Sequence, residues 1–448
     1  MRLPLLAKRK PSWQQWAVGV WVGFTVAAAV KVLVQPTAHT VYPVFAEGAR
    51  NWWQDISLYE PTPDLDLFRY SPTFAVLMTP FGLLPDWLGG VLWVGLNVGM
   101  LFFVLHWAAG EVFPGLDHPE RDAIWLILPL AGSARSLWAG QSNSLILAGA
   151  IGAMLAIRRG WWWTAALLLT GGGFIKVWPW ALALLAGACW PRRLGLRILV
   201  SIVFWSAIPF LTRPPETVLW QYGEWFRMLH STEIYRWGGY RDAWTIWELI
   251  RFPVPKDVYE LVQCETALAV LAWCLWQRRQ IRPETAEGNP SSVQPDFHSD
   301  EQFAAERLAL YAQSSSQRFL SGGDSAEGLD RMAMSLLGAW ASWQLLFGPG
   351  TERLTYILIA PMSSWAVLAS FQSGRYRVWA VGAWVLITLF CMGAFERLVL
   401  KITPWGTALL PLGAAVFAGW LVLHETLPGP ILRNIFSKKQ IPSCDPGK

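Results

Sequence analysis

The chain has 448 residues, 54% of them hydrophobic and only 15% charged, with a formal net charge of +5. Soluble domains carry roughly 25% charged residues, so a soluble globular fold is excluded. Apolar runs of about 15–24 residues recur along the length and mean an all-α polytopic membrane protein, because backbone groups in lipid must be satisfied within helices. On such a chain basic excess reports topology, which argues against nucleic acid as a partner. The 31 tryptophans gather at run ends, where an interfacial aromatic belt would put them. Five cysteines (Cys189, Cys264, Cys274, Cys391, Cys444) are scattered without a CxxC or a Cys/His cluster, so neither a metal site nor a disulfide framework is expected.

Residues 1–15, with Arg2, Lys8, Arg9 and Lys10, are predicted on the cytoplasmic side of an uncleaved first span, Trp16 to Val34. An outer loop follows. Within it Val44, Phe45, Ala49, Trp52, Trp53 and Ile56 lie on a rough helical repeat, which predicts an amphipathic helix over 42–57 on the membrane surface. Residues 71–84 are apolar but too short to cross and are interrupted at Pro72 and Pro80, so they are expected to re-enter and stay outside. Spans are then predicted from Trp87 to Ala109, Ala123 to Trp138, Ser144 to Ile157, Trp161 to Ile175, Trp178 to Trp190, Ile198 to Leu211 and Val258 to Trp276. After a polar stretch come Met332 to Phe347, Leu354 to Phe371, Val378 to Phe395 and Trp405 to His424, about twelve spans in all. Holding 71–84 outside puts Arg158-Arg159, Arg192-Arg193, Arg278-Arg279 and Arg375 on the cytoplasmic side, together with both termini. The long outer loop 212–257 also carries several arginines, which long loops tolerate.

The expected organisation is an N-terminal membrane module over 1–277 with its outer loop at 35–85, a disordered cytoplasmic loop over 278–331, C-terminal membrane helices over 332–425 and a cytoplasmic tail over 426–448. One topology brings the polar residues of several distant stretches to the outer side. Glu47, Arg50, Asp55, Asp64, Asp66, Arg69 and Tyr70 come from the first loop. Gln141 and Asn143 come from the next outer turn, Lys176 from the one after, Arg236 and Arg241 from the long loop, and Glu352 and Arg353 from a later turn. Each has a bland reading beside the functional one. Lys176, in GGGFIKVWPW, either snorkels to the interface or meets an anion. Asn143 caps a helix or holds a substrate. Glu47 pairs with Arg50 along a helix, and Asp64 and Asp66 are solvated loop acids. Glu352 suits a helix N-terminus. The glycines at 171–173 read as helix packing, and no HExxH, GxSxG or P-loop pattern occurs.

Three motifs, in order, resemble the family 87 glycosyltransferases. They are the shelf LYEP…FRYSPTFAVLMTPFGLLPDWLGGVLWVGLN, then GQSNSLILAGAIGAMLAIRRG at 140–160, then GFIKVWPW at 173–180. The resemblance implies a GT-C-like membrane fold, no cofactor, and a polyprenyl-phosphate-linked sugar as donor. It implies transfer of a mannose-like hexose to a lipid-linked or envelope glycan outside the cell membrane. A phosphate leaving group needs cations, which Lys176, Arg69, Arg236 and Arg241 could supply. Gln141, Asn143 and Tyr70 could hold sugar hydroxyls. Glu47, Asp55, Asp64 and Asp66 are the candidate bases for the acceptor hydroxyl. Arg50, Glu352 and Arg353 complete the candidate binding set. The chain departs from the family at Ala38-His39-Thr40-Val41-Tyr42, which lacks the family's early aspartate. A transporter or flippase of lipid-linked or polar solutes, or an inactive scaffold, are the alternative readings.

Overall fold

The computed structural model describes residues 12–109, 111–113, 119–231, 245–250, 255–280, 326–391, 393–402 and 404–426. Among these residues the named elements are all helical. The first is α1 (Trp13–Val34), opened by a capping box in which Ser12 and Gln15 satisfy each other's backbone N–H groups. The shelf follows as α2 (Tyr42–Trp53), α3 (Pro72–Leu77) and α4 (Thr79–Gly82). Then come α5 (Asp86–Ala108), α6 (Pro119–Trp138), α7 (Asn143–Arg158), α8 (Trp162–Ile175), α9 (Trp180–Cys189), α10 (Leu196–Ala207), α11 (Pro215–Ser231), α12 (Ile246–Ile250) and α13 (Lys256–Gln280). The C-terminal set is α14 (Ala326–Leu346), α15 (Ala360–Ser373), α16 (Arg377–Cys391), α17 (Gly393–Ile402) and α18 (Leu409–Thr426).

Among the described residues, six helical segments are long and apolar enough to cross a membrane: Trp13–Val34, Asp86–Ala108, Pro191–Leu211, Asp257–Gln280, Arg353–Ser373 and Gly406–Thr426. Shorter apolar helices cover Asn143–Arg158, Trp162–Ile175, Trp180–Cys189 and Arg377–Cys391. All of these coincide with predicted spans, and the two other predicted spans are the helices α6 and α14. On α10 the apolar side chains of Leu199, Val203 and Phe204 are exposed, as they would be against lipid.

Three features differ from the sequence reading. The helix expected over 42–57 ends at Trp53, and Asp55 adopts a left-handed φ of 59° just beyond it. Nine of its twelve residues are buried, so α2 is packed into the protein and does not merely rest one face on a surface. Residues 71–84, expected to be too short to cross, agree with that reading: they form two short helices, α3 and α4. The loop 212–257 contains α11 and α12. Of the stretch expected to span over 378–395, the described residues are helical as α16 to Cys391 and as α17 from Gly393. Most of the polar segment at 278–331, between 281 and 325, and the tail from 427 lie outside the described residues.

The bundle has two polar ends. At one, Arg158 pairs with Asp330, Arg159 donates to Glu111 over 3.0 Å while stacking on Trp107 and Trp161, and Arg331 reaches Glu425. α7 runs toward this end, where Arg158 closes it, and α14 runs away from it, so Asn143 and Gly348 lie toward the other. The shelf covers that second end with its own apolar cluster, in which Tyr42, Phe45, Trp52 and Phe74 of the shelf pack with Trp93 of α5 and Val218, Trp225 and Met228 of α11.

Candidate functional site

The site is built on an interruption. α8 ends at Ile175 because Lys176 turns to extended backbone (φ −136°, ψ 152°) and Pro179 cannot continue a helix. Proline then opens α9. Gly173 makes the reversal tight, since a Cβ there would lie 2.4 Å from the Trp180 ring. Lys176 is therefore held at a chain break, with its N–H donating to Gly172.

Tyr70 faces it across the gap, with the Lys176 ammonium 5.9 Å from the Tyr70 ring centre. Phe45 meets that ring edge-on at 4.9 Å, and Phe74 lies tilted against it at 5.0 Å. The Tyr59 hydroxyl donates to the Tyr70 carbonyl over 2.9 Å. Ser71 does two jobs: its hydroxyl caps α3 by accepting from Phe74 N–H, and it donates to the Phe174 carbonyl at the end of α8. Arg69 and Tyr70 are thus tied to the lysine's own turn.

Between these elements lies a cavity of about 320 Å³, at the small end of the ~300–1,000 Å³ range of ligand sites. Four parts of the chain line it: Arg69 and Tyr70 of the shelf, Lys176, Val177 and Trp178, then Met228 and Leu229 of α11, and Pro349, Gly350 and Glu352 before the 3-10 turn Arg353–Ile359. Among the described residues its chemistry is asymmetric, with two cations, one carboxylate and a phenol against an apolar wall. Burial pulls the Lys176 pKa below the usual lysine value; Glu352 opposes that fall and Arg69 adds to it. Burial pushes the Tyr70 hydroxyl well above the tyrosine range, with Glu352 adding to the rise, so it is a permanent donor.

The Gln141–Asn143 turn sits alongside. Trp93 donates to the Gly140 carbonyl over 2.7 Å, and the Val41 N–H and Thr40 hydroxyl both donate to Ala139, so the start of the shelf holds the turn. Gly140 needs its left-handed φ of 63° there. Ser142 lies beside the Tyr70 hydroxyl. Asn143 donates to the Leu354 carbonyl over 3.0 Å, while Gln141 Oε1 and Asn143 Oδ1 are buried without protein partners. Such acceptors are costly unless something fills them.

Of the predicted residues, Arg69, Tyr70, Lys176 and Glu352 come together in the cavity, with Gln141 and Asn143 next to it. The others lie apart. Glu47 is 3.9 Å from Arg50, whose guanidinium also pairs with Asp86 and donates to the Gly82 carbonyl, pinning α2 to α4 and α5. Asp55 pairs with Arg213 at 2.9 Å. Asp64 and Asp66 are exposed on the shelf loop, and Arg353 follows Glu352 without lining the cavity. Arg236 and Arg241 lie outside the described residues. Sequence reasoning missed Trp178, Met228, Leu229, Pro349 and Gly350. For the α11 pair a signal existed: Val218, Tyr222, Trp225 and Leu229 recur at helical spacing.

Residues 68–288 match the family model described as glycosyltransferase family 87. The resemblance carried by the motifs therefore holds over that stretch, which contains Arg69, Tyr70, the Gln141 turn, Lys176 and α11. Together with the long apolar helices, the match supports a membrane glycosyltransferase. No curated protein and no solved structure matches the chain.

Proposed function

We propose that this chain, whose residues 68–288 carry family 87 glycosyltransferase sequence, takes a mannose-like hexose from a polyprenyl-phosphate donor. The acceptor is a lipid-linked or envelope glycan, the transfer occurs on the extracytoplasmic face of the cell membrane, and both termini are cytoplasmic. The reading rests above all on one observation: Lys176 and Arg69 line a single small cavity whose remaining wall is largely apolar. A glycosyl phosphate leaves as an anion, and preorganised cations stabilise the charge as it develops. Trp178, Val177, Met228 and Leu229 offer the first isoprene units a dry surface beside that phosphate. Gln141 and Asn143, with buried unpaired acceptors, suit hydroxyls of the sugar.

The test uses the full-length chain in its own membranes, which supply the acceptor. Radiolabelled hexose is offered as polyprenyl-phosphate mannose, polyprenyl-phosphate glucose or a nucleotide sugar. Label in glycan from a lipid-linked donor and none from the nucleotide sugar is the expected result. Movement of the intact lipid-linked donor across sealed vesicles without any new glycoside would replace the transferase with a flippase.

A further inference from the structure

The transferase reading supplies cations for the leaving group but leaves open what takes the proton from the acceptor. We infer that Glu352 is the catalytic base, contributed by a turn of the C-terminal half that lies outside the matched residues 68–288. The inference rests on that reading of the cavity and deepens it.

Glu352 is the carboxylate among the described residues that line the cavity. Of the charged groups around them, it also has the largest influence on both Lys176 and Tyr70. The acids of the first loop are paired elsewhere or lie outside the cavity lining. Glu47 faces Arg50, Asp55 is paired with Arg213, and Asp64 and Asp66 stand in solvent on the loop without lining the cavity. A base must sit within hydrogen-bond reach of the proton it removes, so lining the cavity counts for more than proximity in sequence.

The mount is stiff. Fully buried Gln344 donates to the Pro349 carbonyl over 3.1 Å, and the Thr351 hydroxyl donates back to the Gln344 carbonyl over 2.7 Å. Gly350 turns the chain with a left-handed φ of 64°. The Glu352 N–H donates to the Thr355 hydroxyl over 3.1 Å. Two residues beyond Glu352, the Leu354 carbonyl accepts from the Asn143 amide, so the carboxylate is indexed to the amide turn as well as to the cations.

The step balances without a co-reactant. The acceptor oxygen forms a bond to the anomeric carbon as the bond from that carbon to the phosphate oxygen breaks. The bonding pair leaves with the polyprenyl phosphate, facing Lys176 and Arg69. The acceptor proton passes to the Glu352 carboxylate and from there to water.

Glu352 also caps the 3-10 turn through its side chain, so the variants must separate the two roles. Glu352→Ser keeps a capping oxygen and Glu352→Gln keeps the shape, while neither can accept the proton. Glu352→Asp keeps the carboxylate. Each full-length variant is assayed for hexose transfer in its own membranes and, in nanodiscs, for binding of polyprenyl phosphate itself. Loss of a base is worth roughly 10²–10⁴-fold in rate. Transfer is expected to fall by that much in the Gln and Ser variants and to survive in part in Asp. Binding of the anionic probe should hold or tighten, because a negative charge beside Lys176 has gone. A Gln variant that transfers at the wild-type rate overturns the assignment and leaves the transferase intact. Weaker binding with lost transfer in the Gln and Ser variants would make Glu352 structural and overturn it too. A wild-type protein that neither binds polyprenyl phosphate nor transfers removes the transferase reading, and this inference with it.

Discussion

Replacing Lys176 by methionine keeps the length and apolar stem of the side chain and deletes its charge. The ammonium projects from a chain break into a cavity whose other cation is Arg69, so a phosphate bound there loses one of its two positive neighbours. At an effective dielectric near 20, two unit charges about 4 Å apart attract by roughly 4 kcal/mol. Part of that is spent on desolvation, and measured hydrogen bonds to charged groups are worth ~1.5–3 kcal/mol. With about 1.4 kcal/mol per decade, polyprenyl phosphate should bind roughly 10- to 150-fold more weakly to the methionine variant. The assay is equilibrium titration of the nanodisc-embedded protein. It also has a pH arm. Burial and Arg69 together lower the free lysine below its ordinary 10.5, despite the opposing Glu352. The protonated form is the one that binds phosphate. Wild-type affinity should therefore fall as pH rises through the lowered value, before 10.5 is reached, while Lys176→Arg stays flat because guanidinium keeps its proton. Equal binding by wild type and the methionine variant, or the same alkaline fall in the arginine variant, would refute the reasoning.

Gly89→Ala should destabilise the shelf, because a Cβ on α5 would lie 2.2 Å from the Phe81 carbonyl and 2.0 Å from the Tyr42 hydroxyl. Overpacking of this kind costs ~1–3 kcal/mol, to be read as a lower midpoint of thermal unfolding in detergent. Asp55→Asn should leave hexose transfer near wild type: its side chain is 58% exposed, its pairing with Arg213 is worth at most about 1 kcal/mol, and asparagine tolerates the left-handed backbone. A drop of ~10²-fold or more in transfer would instead make Asp55 the base. Asp330→Asn should cost about 1–3 kcal/mol in thermal unfolding, because it deprives a half-buried Arg158 of its partner at the opposite end of the bundle, and donor binding should be untouched.

The helical architecture was legible because lipid forces a one-dimensional signal: long apolar runs become helices whatever their neighbours do. Lys176 was legible for the same reason, as a lone cation between apolar residues beside a proline. What the sequence hid was packing. The repeat in α2 was readable, but not that α3, α4 and α5 would pack against it and bury nine of its twelve residues. Glu47 was attractive because it opens the shelf, yet its nearest cation, Arg50, is shared with Asp86, thirty-six positions away from that arginine. The apolar wall of the cavity escaped because Met228, Leu229 and Trp178 carry no chemical signature of their own. The loop 212–257 was read by its arginines, and charge masked the helical period that makes α11.

The cavity depends on how few bonds join its walls. Ser71 links the shelf to the end of α8, Asn143 links the amide turn to Leu354, and Gln344 holds the loop that carries Glu352. Each bond fills a backbone group that a local irregularity would otherwise leave unpaired: the carbonyl of Phe174 where α8 stops, that of Leu354 in a 3-10 turn, that of Pro349 in a glycine bend. Breaks in regular structure near lipid are tolerated only where such groups find partners. The partners here come from the elements that bear Tyr70, Gln141 and Glu352. Meeting the backbone's demand therefore sets the spacing of the charges, and donors and charges fixed before the substrate arrives need no reorganisation as charge develops. The same irregularities that would weaken a simple bundle are what allow residues 69, 176 and 352 to share one small space.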